Sequence, residues 1–139
     1  MDTDSAPPQT DSAPPQSVHY SRPVPFSGVT PVSQQLRIFN NGVPGPGGAL
    51  PNYAIVRPDD TEVAAFSFQN GTLPEVGVNG VTLESLIAIC IDQLQQFQEG
   101  AFRSRENACA ITKLEEAAMW LEKRTRNRQA RGVEGTYQK

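Results

Sequence analysis

The fold is decided by residues 82–129, which read TLESLIAICIDQLQQFQEGAFRSRENACAITKLEEAAMWLEKRTRNRQ. Apolar side chains recur there at helical spacing in two runs, and the segment Glu99–Arg103 separates them. Thr82 and Ser104 stand where helix N-caps are favoured, and Gly100 ends the first run. The stretch therefore predicts an αα-hairpin, whose second helix runs from Ser104 to about Gln129.

Each predicted helix carries an apolar stripe. The stripes comprise Leu83, Leu86, Ile87, Cys90, Ile91, Leu94 and Phe97 in the first helix, and Ala110, Ile111, Leu114, Ala117, Ala118 and Leu121 in the second. They are wide enough to pack on the partner helix and also on a sheet or a second subunit, so we expect a homo-oligomer. Cys90 and Cys109 fall inside the two predicted helices and are expected to be buried core thiols. A zinc site or a Cys/His pair is not expected, because the only histidine is His19 in the N-terminal tail.

The sequence before the hairpin predicts a small antiparallel sheet. Residues 36–39, 53–57 and 62–68 have the composition of strands, and turn residues or a segment rich in glycine and proline separate them. The fold class is α+β, a small antiparallel β-sheet followed by a long αα-hairpin. In the predicted domain division, residues 35–139 form one ligand-binding domain, with sheet and loops at 35–81, the hairpin at 82–129 and a C-terminal tail at 130–139.

Residues 1–34 are predicted to be a disordered or extended, proline-rich tail. Thr3–Gln9 and Thr10–Gln16 repeat the same heptapeptide, TDSAPPQ, which offers little to bury. The acidic, proline-rich start differs from a secretory signal, and no apolar run is long enough to span a membrane. We therefore expect a protein of the bacterial cytoplasm.

Charge is distributed unevenly along the chain. Residues 1–100 carry three basic and ten acidic side chains, whereas residues 101–139 carry nine basic and five acidic ones. The C-terminal part is thus suited to an anionic ligand or to the acidic part of a neighbouring subunit. Duplex nucleic acid is not expected as a partner, because an acidic protein lacks a broad basic face.

Candidate binding residues flank the loop between the last strand and the hairpin. Phe68 could stack on a purine, or it could form a core with Phe66 on one face of the sheet. Asn70 and Asn79 each precede a glycine, so they could contact a base or ribose, or serve only to build turns. The sequence leaves both alternatives open.

Arginines form two further candidate groups. Arg103 and Arg105 flank the start of the second helix, where they could clamp a pyrophosphate or lie in a solvated turn. Arg124, Arg128 and Arg131 crowd the end of that helix as a possible second anionic site, although dipole compensation alone favours cations there. We expect no catalysis, no metal site and no cofactor, because no nucleophile–base set or metal-ligand spacing is present.

Three segments carry a family resemblance: FQNG-x3-EVGVNGVT at 68–82, ENACAITKLEEAAMWLEKRT at 106–125 and RQARGVEGT at 128–136. They resemble the Thoeris anti-defence type one family of phage proteins. The last two also resemble the helical-hairpin domain of the anti-CBASS type two sponges.

The resemblance implies a non-catalytic sponge that binds cyclic ADP-ribose isomers, in particular glycocyclic ADP-ribose, in a pocket between subunits of a dimer or hexamer. It implies cyclic di- and trinucleotides as further ligands, Phe68 as the adenine-stacking residue and Asn79 as a polar contact. Arg57, Arg103 and Arg105 are expected at the phosphates on the basis of charge. The alternative is a phage module that docks on a protein through its helical hairpin.

Overall fold

The computed structural model describes residues 22–138, which form a four-stranded antiparallel sheet followed by a long helical hairpin. This confirms the predicted α+β class. The elements are β1 (Arg22–Val24), α1 (Pro31–Gln35), β2 (Arg37–Asn41), β3 (Asn52–Val56), β4 (Glu62–Ser67), α2 (Leu73–Val76), α3 (Leu83–Glu99) and α4 (Arg105–Ala130).

The sheet has the strand order β1-β2-β3-β4, with every neighbouring pair antiparallel. Its most buried polar residue is Asn40, which is 1% exposed. The Asn40 amide donates to the carbonyls of Leu50 and Asn52 at 2.9 Å each, and Arg22 Nη1 donates to Asn40 Oδ1 at 2.9 Å. Asn40 therefore braces the segment between β2 and β3 from inside the sheet.

The first strand was not predicted from the sequence. Residues 22–34 fall within the predicted tail, yet Arg22–Val24 pairs with β2 and Pro31–Gln35 forms a short helix capped by Thr30. The TDSAPPQ repeats lie outside the described residues. The proposed boundary at residue 35 remains a prediction.

The hairpin begins and ends as the sequence predicts. Thr82 Oγ1 accepts from the Ser85 amide at 3.1 Å while Ser85 Oγ accepts from the Thr82 amide at 3.0 Å, which closes a capping box. Ser104 Oγ accepts from the Asn107 amide at 3.0 Å and caps α4. These caps satisfy amide groups that a helix end leaves without a partner, so they fix where each helix starts.

The packed seam between α3 and α4 is narrower than the predicted stripes. The half-buried residues of α4 recur at alternating spacings of four and three, as in a coiled coil: Asn107, Ile111, Leu114, Ala118, Leu121, Thr125 and Arg128. Cys90 and Cys109 fall outside this seam and are exposed, so the prediction of buried core thiols was wrong. One partner helix covers only a narrow stripe, and Cys90 and Cys109 are too far around their helices to reach it.

The hairpin does not pack on the sheet. Among the described elements, α3 contacts α4 and each strand contacts its neighbours in the sheet, but neither long helix contacts a strand. The connection is a single parallel bridge from Phe68 to Val81, extended by hydrogen bonds of 2.8 Å from the Gln69 amide to the Val81 carbonyl and from the Val81 amide to the Ser67 carbonyl. The sequence predicts that either a sheet or a second subunit packs on the outer face of the hairpin. In this chain the sheet does not.

No helix within residues 22–138 has both the length and the hydropathy that a bilayer crossing requires.

Candidate nucleotide-binding pocket

The segment 42–51 between β2 and β3 is rich in glycine and proline, and we call it the glycine-rich segment. A pocket of about 450 Å³ lies where this segment, the sheet and the hairpin meet. Its volume falls in the range usual for small-molecule sites. It is lined by Gly45, Pro46, Gly47, Ala49, Leu50, Pro51, Tyr53, Phe68, Gln69, Asn70, Gly71, Val81, Thr82, Leu83, Glu84 and Arg124. We call it the Phe68 pocket.

Aromatic rings form one wall of the Phe68 pocket. Tyr53 lies opposite Phe66 in the β3–β4 register, and their rings stack at 5.8 Å between centroids. The Phe68 ring meets Tyr53 edge-on at 5.5 Å and Phe66 edge-on at 5.7 Å. Phe68 therefore belongs to an aromatic cluster and also lines the pocket, and its stacking on a purine remains a prediction.

Asn70 and the glycine-rich segment form a second wall. Gly45 and Gly48 build a turn in which the Gly45 amide donates to the Ala49 carbonyl at 3.0 Å and the Gly48 amide donates to the Gly45 carbonyl at 2.8 Å. Asn70 Oδ1 lies only 2.5 Å from where a Cβ at residue 45 would stand. The absence of a side chain at Gly45 lets the Asn70 carboxamide lie against the turn, and a Cβ there would require it to shift.

The loop that carries Asn70 is held by side-chain amides. Asn79 Oδ1 accepts from the Asn70 amide at 2.9 Å, and Asn79 Nδ2 donates to the Asn70 carbonyl at 2.7 Å. Gln69 accepts from the Asn79 amide at 2.9 Å and donates to the Gly77 carbonyl at 2.7 Å. Asn79 thus pairs with the backbone of Asn70 as a peptide group would, which makes it a brace of this wall.

Gly80 anchors the same loop to the end of β4. A Cβ at residue 80 would stand 2.4 Å from the Phe68 carbonyl carbon and 2.5 Å from the Ser67 carbonyl oxygen. Because both atoms belong to the backbone, a side chain here could be accommodated only by moving the strand end. Gly80 therefore fixes the position of Phe68 relative to the start of α3.

The cation at the Phe68 pocket is Arg124, which the sequence assigned to a second site. In an antiparallel hairpin the end of α4 returns to the start of α3, and Arg124 consequently lines the pocket with Thr82 and Glu84. The antiparallel geometry and the two helix lengths could have indicated this position from the sequence. Tyr53 was missed too, although its pairing with Phe66 follows from the strand register.

The other predicted phosphate ligands lie elsewhere in the chain. Arg57 follows β3 at the far end of the sheet, where Nη1 donates to Thr61 Oγ1 and the Glu62 carbonyl at 3.2 Å each. Arg103 and Arg105 lie at the hairpin tip, separated from the pocket by the 17 residues of α3. At the helical rise this is about 25 Å, so one chain does not bring these arginines to Phe68.

The arginines at the end of α4 form a second concave surface of about 710 Å³, lined by Trp120, Lys123, Arg124, Asn127, Arg128, Ala130 and Arg131. Lys123 Nζ lies 5.0 Å from the Trp120 ring centroid, which is cation–π distance. Arg128 donates to four oxygens of the C-terminal segment, so its guanidinium is engaged within the chain. Arg124 is shared by both surfaces.

Two shifted pKa values lie outside the Phe68 pocket. Hydrogen bonds from Thr61 lower the pKa of Asp59 in the β3–β4 turn. A hydrogen bond to Glu75 raises the pKa of Tyr137. Within residues 22–138, no group of three histidine, cysteine or carboxylate side chains is placed to hold a metal ion.

One segment of the chain matches a known protein domain. Residues 60–126 match the hairpin domain named Acb2/Tad1. Over 78 residues the chain is 58% identical to a protein of Bacillus phage SBSphiJ7 named Thoeris anti-defense 1. That alignment covers 56% of this chain and 55% of the phage protein, so the chain spans about half of its relative's length.

Proposed function

We propose that this chain, whose residues 60–126 match the Acb2/Tad1 hairpin domain, acts against host defence by binding and sequestering cyclic ADP-ribose isomers without degrading them. The match agrees with the resemblance seen in the sequence. The name of the phage relative supports the Thoeris defence as the system that is countered, and glycocyclic ADP-ribose is the isomer we propose as ligand. The proposed place of action is the cytoplasm of the infected bacterium.

The observation that carries the proposal is the composition of the Phe68 pocket. An aromatic face suits the stacking of an adenine, and Arg124 suits a pyrophosphate. The main chain at Gly47 is open to a ligand, because Gly47 lines the pocket and nothing lies within 4 Å of where its Cβ would stand. These are the groups that an ADP-ribose isomer requires.

The proposal assigns binding and no chemistry to this pocket. Tyr53 and Thr82 are the hydroxyl residues among those that line it, and the Thr82 oxygen accepts from the Ser85 amide as a helix cap. Glu84 is the only carboxylate in the lining and lies on the first turn of α3. Sequestration requires tight binding alone, to which this lining can contribute stacking and charge.

We further propose that a second copy of the chain completes the pocket. The hairpin exposes apolar side chains outside its seam, among them Ile89 at 64%, Met119 at 66% and Trp120 at 62%. In the described chain only Ala54, Val56 and Asn40 are buried, which is a small core for its apolar surface. Burial of the hairpin faces in a homodimer or a homohexamer would stabilise the fold and enclose the ligand.

A second candidate activity is the binding of cyclic di- or trinucleotides on the surface around Trp120. It is favoured by an exposed indole beside Lys123, Arg124 and Arg131, since an aromatic ring and cations are suited to bases and phosphates. The protein-docking module remains the alternative from a different class, and it requires no nucleotide affinity.

The test is isothermal titration of the full chain with glycocyclic ADP-ribose, followed by heating of the complex and mass spectrometry of the released molecule. Saturable binding with the ligand returned intact is expected. Release of a product of different mass would show degradation and overturn the sponge. Absence of binding would overturn the ligand assignment, and titration with a cyclic dinucleotide would then separate the second candidate from a protein-docking role.

A further inference from the structure

The segment 133–138 folds back along the end of α4 and is fastened there by one side chain. Arg128 donates from Nε to Glu134 Oε2 at 3.0 Å and from Nη1 to the Gln138 carbonyl at 2.7 Å. Arg128 Nη2 donates to the carbonyls of Val133 at 3.0 Å and Thr136 at 2.9 Å. We call this segment the C-terminal clasp.

The C-terminal clasp also reaches the loop that forms one wall of the Phe68 pocket. The Tyr137 hydroxyl donates to Glu75 Oε2 at 2.6 Å, across 62 positions of the chain. Glu75 lies on α2, next to Val76, and a Cβ at Gly71 would stand 2.9 Å from the Val76 side chain. Since Gly71 lines the pocket beside Asn70, the clasp contacts the pocket wall through α2.

The other end of the clasp is attached to the helix that carries the pocket cation. Arg128 follows Arg124 by four residues, so the two side chains share a face of α4. No long helix packs on the sheet among the described elements. The hydrogen bond from Tyr137 to Glu75 therefore ties the end of α4 to the loop that forms the Asn70 wall.

We propose that Tyr137, Glu75 and Arg128 are positioning residues, which hold Arg124 and the Asn70 wall at a fixed separation and thereby set the affinity of the Phe68 pocket. The inference rests on the proposed function. The exposed Arg124 side chain can adopt many rotamers. The Asn70 wall belongs to a single loop, so it can move away from Arg124 unless another contact holds it. Fixing both before the ligand arrives lowers the ordering cost of binding, which appears directly as affinity.

The test compares Tyr137→Phe, Glu75→Gln and the double variant by titration with glycocyclic ADP-ribose. Glu116→Gln is the matched control, because Glu116 is another exposed carboxylate, paired with Lys113 at 3.6 Å on α4. Each single clasp variant should weaken affinity about three- to tenfold. The double variant should be no weaker than the stronger single one, because both changes act on the same bond: phenylalanine removes its donor, and glutamine replaces its charged acceptor with a weaker neutral one. The control should bind as the wild type does.

Amide hydrogen exchange of the ligand-free chain supplies a second measurement. In Tyr137→Phe, residues 69–79 should exchange faster while the centre of α3 stays protected, since the variant frees the wall without unfolding the hairpin. Binding that is equal in the wild type and in Tyr137→Phe would overturn the clasp alone. Absence of binding by the wild type would overturn the proposed function and the clasp with it.

Discussion

The side chain of Asn79 pairs with the main chain of Asn70 through two hydrogen bonds, one accepted at 2.9 Å and one donated at 2.7 Å. A carboxamide is the only common side chain that can both accept from an amide and donate to a carbonyl in this way. The pairing closes the loop between β4 and α3 and presents Asn70 to the Phe68 pocket. A substitution at residue 79 should therefore disturb this loop.

Replacement of Asn79 by aspartate should open this loop. The carboxylate can still accept from the Asn70 amide, but it cannot donate to the Asn70 carbonyl and would repel it. We expect a loss of about 1–2 kcal/mol in the free energy of unfolding, measured by urea denaturation. If Asn79 instead contacts the ligand and has no bracing role, Asn79→Asp should weaken ligand binding and leave stability and the exchange of residues 69–79 unchanged.

Gly80→Ala should displace the end of β4. The added Cβ would stand within 2.6 Å of three backbone atoms at residues 67–69. We expect a loss of about 1–3 kcal/mol in the free energy of unfolding, together with weaker ligand binding because Phe68 moves. Gly47→Ala is the matched control, since Gly47 lines the same pocket and a Cβ there meets nothing within 4 Å. Equal stability of the two variants would contradict the close packing at Gly80.

Sequence reasoning succeeded where the pattern is local. Thr82, Ser104 and Gly100 mark helix ends through interactions with neighbouring residues, so the hairpin could be predicted closely. The strand β1 could not, because Arg22–Val24 contains a proline and becomes a strand only through pairing with β2. The same limit applies to the site: Phe68 and Asn70 lie on one loop, whereas Arg124 joins them only when the hairpin closes.

Arg124→Gln should weaken the binding of glycocyclic ADP-ribose more than Arg103→Gln does. In one chain Arg124 lines the Phe68 pocket while Arg103 lies at the hairpin tip, about 25 Å away along α3. Loss of a guanidinium that bonds a phosphate should cost about ten- to a hundredfold in affinity, as measured by titration calorimetry. An equal loss in Arg103→Gln would mean that a second copy brings its hairpin tip to this pocket.

Tyr137 should ionise at a higher pH than an ordinary tyrosine, because the hydrogen bond to Glu75 raises its pKa. A raised pKa in the folded state means that the contact stabilises the protein at neutral pH. This contribution is lost as the pH rises through the raised value. An ultraviolet absorbance titration should resolve the late tyrosine, with Tyr137→Phe to assign it. Glu75→Gln should return the pKa toward its usual value, and an unchanged titration would contradict the contact.

Modification of Cys90 and Cys109 should report whether copies of the hairpin associate. Both thiols are exposed in the single chain, outside the seam between α3 and α4. If a second copy covers these helix faces, a disulfide reagent should modify the thiols slowly in concentrated protein and faster on dilution below the dissociation constant of the oligomer. Single Cys90→Ser and Cys109→Ser variants would show which face is covered. The rate of thiol modification could instead stay constant while size-exclusion chromatography shows that the oligomer dissociates. The copies would then contact each other through another surface, and the apolar side chains on these faces of the hairpin would remain exposed.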